Sequence, residues 1–182
     1  MTNARAALIL VLIATLAMLA WLASALPPEV ASHFDLEGRA DATAPRRTLL
    51  GVFAVVVVFE TLTFLAVPHL IRRFPTESMS LPNRDYWLAP ERREETLADL
   101  GARMTWLGVF SALFLAALIW DTGRANLAPG PEGVPTLGPV FWTALGGLIV
   151  AVVLWMRSLN SRFREVPLTA EAPRRPADSV RS

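Results

Sequence analysis

The sequence predicts an all-α integral membrane protein: four transmembrane helices, a short ordered extracytoplasmic loop after the first, and a cytoplasmic loop carrying a surface helix before the third. Three observations carry that reading. Of the 182 residues 53% are hydrophobic, the mean hydropathy is +0.42 and the net charge is +1, which is too apolar for a soluble domain of this length. The apolar residues gather in four runs, 7–26, 49–71, 104–120 and 140–156. A hydrocarbon core of about 30 Å takes roughly 17–25 helical residues, so the first two runs fit directly and the last two fit with slight extension. Finally, Trp21, Trp106, Trp120, Trp142 and Trp155 mark the ends of these runs, where an indole prefers the interface; only Trp87 lies elsewhere.

Domain organisation follows: a four-helix membrane domain over 1–165 and a Pro-, Ala- and Arg-rich tail over 166–182, expected to be disordered with arginines near anionic lipid. All seventeen basic residues are arginines, and thirteen of them fall at the N-terminus, in the second loop and in the tail, against four in the first and third loops. The positive-inside rule then places both termini in the cytoplasm of a bacterial cell and the first loop outside. Arg5, the apolar run and Ala23-Ser24-Ala25 also imitate a cleavable signal peptide; the length of the run and three further spans favour retention.

The elements can be justified in order. Thr15 is the one polar residue near the middle of the first helix, and Pro27 and Pro28 end it. In the loop that follows, Val30, Ser32 and Phe34 alternate like a strand, Asp35 to Gly38 read as a turn with Gly38 at positive φ, and Asp35 can accept bonds from the backbone ahead of it. Thr43 is expected to cap the second helix, with Pro45 in its first turn and Arg46 and Arg47 as interfacial anchors. Glu60, near the centre of the second helix, is the most expensive residue, since an ionised carboxylate there costs at least ~3 kcal/mol. A structural cluster with Thr15, Ser111 and Gly146-Gly147 at similar depth would satisfy it; a proton- or cation-binding carboxyl open to water is the functional alternative. His69 is placed on the opposite face, too far along the axis to be its partner.

The second loop begins irregularly, with Pro75, Pro82 and Pro90 interrupting any helix and Tyr86-Trp87-Leu88 suited to the headgroup region. A helix is expected from Pro90, with Glu91, Glu94 and Glu95 in its early turns, running into the third span. Gly108, Ala112 and Ala116 form a small-residue row on that span, answered on the fourth by Gly147 and Ala151. Either these two helices pack closely or one face mediates a homodimer. The third loop, 121–139, is rich in Pro and Gly and repeats nothing from the first.

Leu26-Pro27, Val30, His33-Phe34, Gly38 and Asp41 form the pattern L-P-x-x-V-x-x-H-F-x-x-x-G-x-x-D. It resembles the mark of a bacterial membrane domain of unknown function, the 1648 family, which also occurs at the N-terminus of SdpI-like immunity and signalling membrane proteins. The stretch from Leu81 to Arg92, with Asn83, Arg84, Asp85, Tyr86 and Trp87, is similar to the cytoplasmic segment of the short members. The resemblance implies a membrane domain and, for some relatives, toxin immunity or signalling, with no catalytic residues.

The residues themselves offer little chemistry. Without cysteine there are no disulfides and no Cys-rich zinc site, and neither histidine sits in an H-E-x-x-H motif; hydrolase, nucleotide and dinucleotide fingerprints are absent. The near-balanced charge argues against nucleic acid. His33 with Asp35 and Asp41, joined by Glu37, is the one arrangement that metal chemistry would use, and a hydrogen-bonded structural network or a pH-sensitive imidazole are the other readings. The leading expectation is therefore a non-enzymatic membrane protein, without cofactor or metal, whose outer loop (His33, Phe34, Asp35, Gly38, Asp41) senses or recognises a peptide or membrane-protein partner. A small proton-coupled transporter, dimeric around Glu60, is the alternative, and a metalloenzyme using His33 the third.

Overall fold

A computed structural model of the protein describes residues 2–130 and 133–166. In chain order the elements are helix α1 (Thr2–Ala25), strands β1 (Glu29–Phe34) and β2 (Ala40–Pro45), helix α2 (Arg46–Arg73), a 3-10 turn (Thr76–Ser78), the short helix α3 (Arg84–Trp87), and the long helices α4 (Arg93–Leu127) and α5 (Pro139–Arg164). Four of these helices, α1, α2, α4 and α5, are long and apolar enough to cross a membrane, so the chain is a multi-pass membrane protein. The tail from 167 lies outside the described residues.

The 35-residue helix α4 organises the bundle by packing against α1, α2 and α5. At one end Leu19, Leu22 and Leu26 of α1 meet Leu49, Leu50 and Val57 of α2, Val30 of β1 and Ile119 of α4. Towards the other end Leu8 meets Val109 and Ala112, with Phe64 and Leu65 against them. Trp87, Leu88, Leu97, Leu100 and Phe163 form a third cluster beyond it, at the arginine-rich end. By contrast, α5 buries only Phe163 along its described length.

Several local expectations change. Thr43 pairs in β2 across from Ala31, so the strand runs on to Pro45 and α2 starts at Arg46, whose backbone N–H donates to Pro28 O. Pro90 and Glu91 lie in a turn rather than a helix, because Ala89 O already accepts from Arg92 and Arg93 N–H, and α4 begins at Arg93. The third loop is shorter than expected, since α4 continues seven residues past Trp120; the polar groups there find partners on the hairpin and on α5 and need not end the helix.

The small-residue row also faces elsewhere. A Cβ on Gly108 would collide with the Phe64 ring of α2, and Ala112 packs beside Leu8 of α1, so the row lets α4 approach α1 and α2 and not α5. Gly146 and Gly147 have open space where a Cβ would stand. Gly108→Val should therefore lower the thermal midpoint of the detergent-solubilised protein by the equivalent of about 1–3 kcal/mol, while Gly147→Ala leaves it unchanged or raises it; circular dichroism melts of the two variants check the assignment.

Candidate functional site

At the hairpin end, β1 and β2 pair antiparallel, with register shifts on either side of His33; Val30 and Ala31, before the shifts, are both buried. The turn forms as its residues dictate. Asp35 Oδ1 accepts from Glu37 N–H at 3.0 Å and Arg39 N–H at 2.7 Å, and Gly38 takes φ 79. With its carboxylate committed to the turn, Asp35 is separate from His33. Asp41 does return to His33, Nδ1 and Oδ1 lying 2.5 Å apart, in a pair that is 70% and 49% exposed. Phe34 pairs with Ala40 at the mouth of the turn. Among the described residues no three His, Asp or Glu side chains converge as a metal site would require.

The hairpin does not stand alone. Residues 134–137 run beside the turn, Ala40 N–H donating to Pro135 O at 3.0 Å and Leu137 N–H to Gly38 O at 2.8 Å, with an antiparallel bridge between Arg39 and Thr136. On the other side, the Asn126 amide of α4 treats β1 as a neighbouring strand would: its Oδ1 accepts from Ala31 N–H at 2.6 Å and its Nδ2 donates to Ala31 O at 3.1 Å. An edge strand's free backbone groups are thereby satisfied. Between these supports lies an open cleft of about 530 Å³, walled by Glu29, Asp41, Thr43, Asn126 and Val134. It combines two carboxylates with amide, hydroxyl and apolar groups.

The loop is held in turn by Asp121, which is 0% exposed. Its Oδ1 accepts from Arg124 Nε at 2.8 Å, and its Oδ2 accepts from the N–H groups of Gly138 at 2.6 Å and Phe141 at 3.2 Å. These two N–H groups belong to the start of α5, so an acid on α4 caps the positive end of the next helix. A third span that ends near Trp120 leaves Asp121, Arg124 and Asn126 in a loop, where their residue types alone suggest no role. The signal was the spacing of polar residues three and two apart just beyond the interfacial Trp120.

At the opposite end, the motif residues turn inward. Trp87 is 6% exposed and its Nε1 donates to Phe163 O at 2.9 Å, so Tyr86-Trp87-Leu88 packs against the end of α5 as a clamp. Asn83, at φ 51, donates from Nδ2 to the carbonyls of Phe163 and Arg164, closing the C-terminus of α5. Arg162 stacks over Trp87, Arg92 over Tyr86, and Arg84 pairs with Asp85.

In the middle of the bundle the expected polar cluster does not assemble. Thr15 Oγ1 donates to Val11 O within its own helix, and the Gly146-Gly147 pair has open space beside it, with Gly147 lining a cavity with Phe110, Leu113 and Phe114 of α4. Ser111 of α4 is the polar side chain beside Glu60. Even so, both carboxyl oxygens of Glu60 and the hydroxyl of Thr61 are buried without a hydrogen bond of good geometry.

Residues 10–59 match the model of a family described as a domain of unknown function (DUF1648). The match runs from α1 through the hairpin into α2 and stops one residue short of Glu60. No curated protein and no solved structure matches the chain, so the likeness to immunity and signalling proteins rests on the motif residues alone.

Asn126→Ala removes both bonds to Ala31, and the loss of about 1–3 kcal/mol should speed amide exchange in β1 roughly fivefold or more. Asn126→Asp, which keeps only the acceptor, should fall between. Hydrogen exchange on the reconstituted protein reads both, with α2 unchanged as the internal control.

Proposed function

Starting from a membrane protein that carries DUF1648 over residues 10–59, we infer that it acts without catalysis, by recognising a peptide or membrane-protein partner in the cleft beside the hairpin. The observation that carries this reading is the cleft itself, built on a hairpin whose turn, edge and flanking loop are each tied down by named bonds. A preordered site loses less entropy on binding than a loose loop would. The His33–Asp41 pair sits at its border, exposed and able to exchange its bond for one to a ligand. The arginine distribution supports an orientation with the hairpin outside a bacterial cell membrane and both termini in the cytoplasm. A role in immunity or signalling is compatible with such an outward-facing receptor surface.

The test is photo-crosslinking in cells from a residue in the cleft wall, Ala42, against one at the hairpin tip, Leu36, which is 92% exposed. The reading expects an adduct of defined mass from position 42 that is missing from position 36 and lost on Asn126→Ala. Equal labelling from both positions would sink it.

A second reading is favoured by one feature, the Glu60 carboxyl buried in the bundle with Ser111 as its polar neighbour and no hydrogen bond of good geometry. Buried polar groups within a membrane are rarely left so, and a carboxyl that binds and releases a proton through water would account for it. As a proton-coupled transporter, working as a dimer around Glu60, the protein should drive proton flux in proteoliposomes, and Glu60→Gln should abolish it. Flux that survives the substitution rejects this reading.

A further inference from the structure

The strap that precedes α3 crosses α5 where that helix leaves its apolar run, and the two enclose an open groove of about 470 Å³. This is within the size range of ligand clefts. Its lining changes character along the helix axis. Trp155 and Met156 close the apolar run of α5, and Arg157 and Asn160 follow at a rise of about 1.5 Å per residue. Opposite them the strap contributes Leu81 and Ser80. One wall is fixed, because Trp155 Nε1 donates to Arg103 O of α4 at 2.9 Å.

Most arginines at this end have acidic partners. At this end Arg103 and Arg162 share Asp99, Arg72 and Arg93 share Glu94, and Arg84 holds Asp85. Arg157 is exposed and makes no ion pair or hydrogen bond among the described residues. An unpaired guanidinium at the edge of the apolar layer, beside a groove that is greasy on one side and polar on the other, matches a phosphate ester joined to an acyl chain.

We propose that this groove is a site for one anionic phospholipid, its chain against Trp155, Met156 and Leu81 and its phosphate on Arg157, with Asn160 and Ser80 as hydrogen-bond donors. A zwitterionic lipid brings its own cation to the phosphate and gains less from Arg157, so the headgroup with net negative charge is preferred. Occupancy would tie the strap, and with it the Asn83–Trp87 clamp, to the lipid composition around α5.

Native mass spectrometry of the full-length, detergent-solubilised protein tests this, with phosphatidylglycerol, phosphatidylcholine and inorganic phosphate as separate probes. One retained phosphatidylglycerol per chain is expected, with weaker retention of phosphatidylcholine and no displacement by phosphate. Arg157→Gln should lower retention about fivefold or more, whereas Arg47→Gln, another exposed arginine at the far end of the bundle, should not. Arg157 is exposed and has no hydrogen bond or ion pair among the described residues to lose on substitution, and Met156→Trp provides a second variant that fills the groove while keeping the charge; it should lower retention as well. Unchanged retention in Arg157→Gln, equal retention of phosphatidylcholine, or displacement by inorganic phosphate would each overturn the proposal.

Discussion

Asp121 is the residue on which the hairpin end depends. A carboxylate with no exposed surface is tolerable only if its charge is met, and here it is met twice, by the Arg124 guanidinium and by the N–H groups at the start of α5. One side chain thus joins the longest helix to the last one and sets where the loop before α5 must run. Because that loop supplies the backbone groups that bond Gly38 and Ala40, the position of the hairpin turn follows from the same contact.

The segment matching DUF1648 is not closed on itself. It contains α1 from residue 10 onward, the hairpin and half of α2, but the edge of β1 is satisfied by Asn126 and the turn is flanked by 134–137, both outside the match. A two-stranded ribbon is marginal in isolation. The cleft is therefore a property of the hairpin and α4 together, and any recognition there reads residues from both halves of the chain.

The fourth span is held differently from the other three. Its middle buries little, yet Asp121 closes its first turn while Asn83 and Trp87 close its last carbonyls. Helix ends expose unpaired backbone groups, and near a membrane those groups are costly to leave unmet. This explains why the Asn83-Arg84-Asp85-Tyr86-Trp87 motif lies so far in sequence from the helix it serves. In the middle of the bundle, by contrast, α1, α2 and α4 approach through small residues and leave Glu60 with Ser111 as its polar neighbour.

Hydropathy, turn chemistry and the penalty for a buried charge are local properties that each residue carries with it, so the four spans, the Asp35–Gly38 turn and the cost of Glu60 are legible in the residues alone. The return of Asp41 to His33 was legible for the same reason, since a tight turn leaves few places for the chain to go. That α4 extends to Leu127, that Gly108 faces Phe64 instead of Gly147, and that Trp87 is buried follows from packing between distant segments. Which face of a membrane helix meets which neighbour depends on shape between segments far apart in the chain. Whether a polar residue such as Asn126 ends a helix or prolongs it depends on a partner that hydropathy cannot reveal.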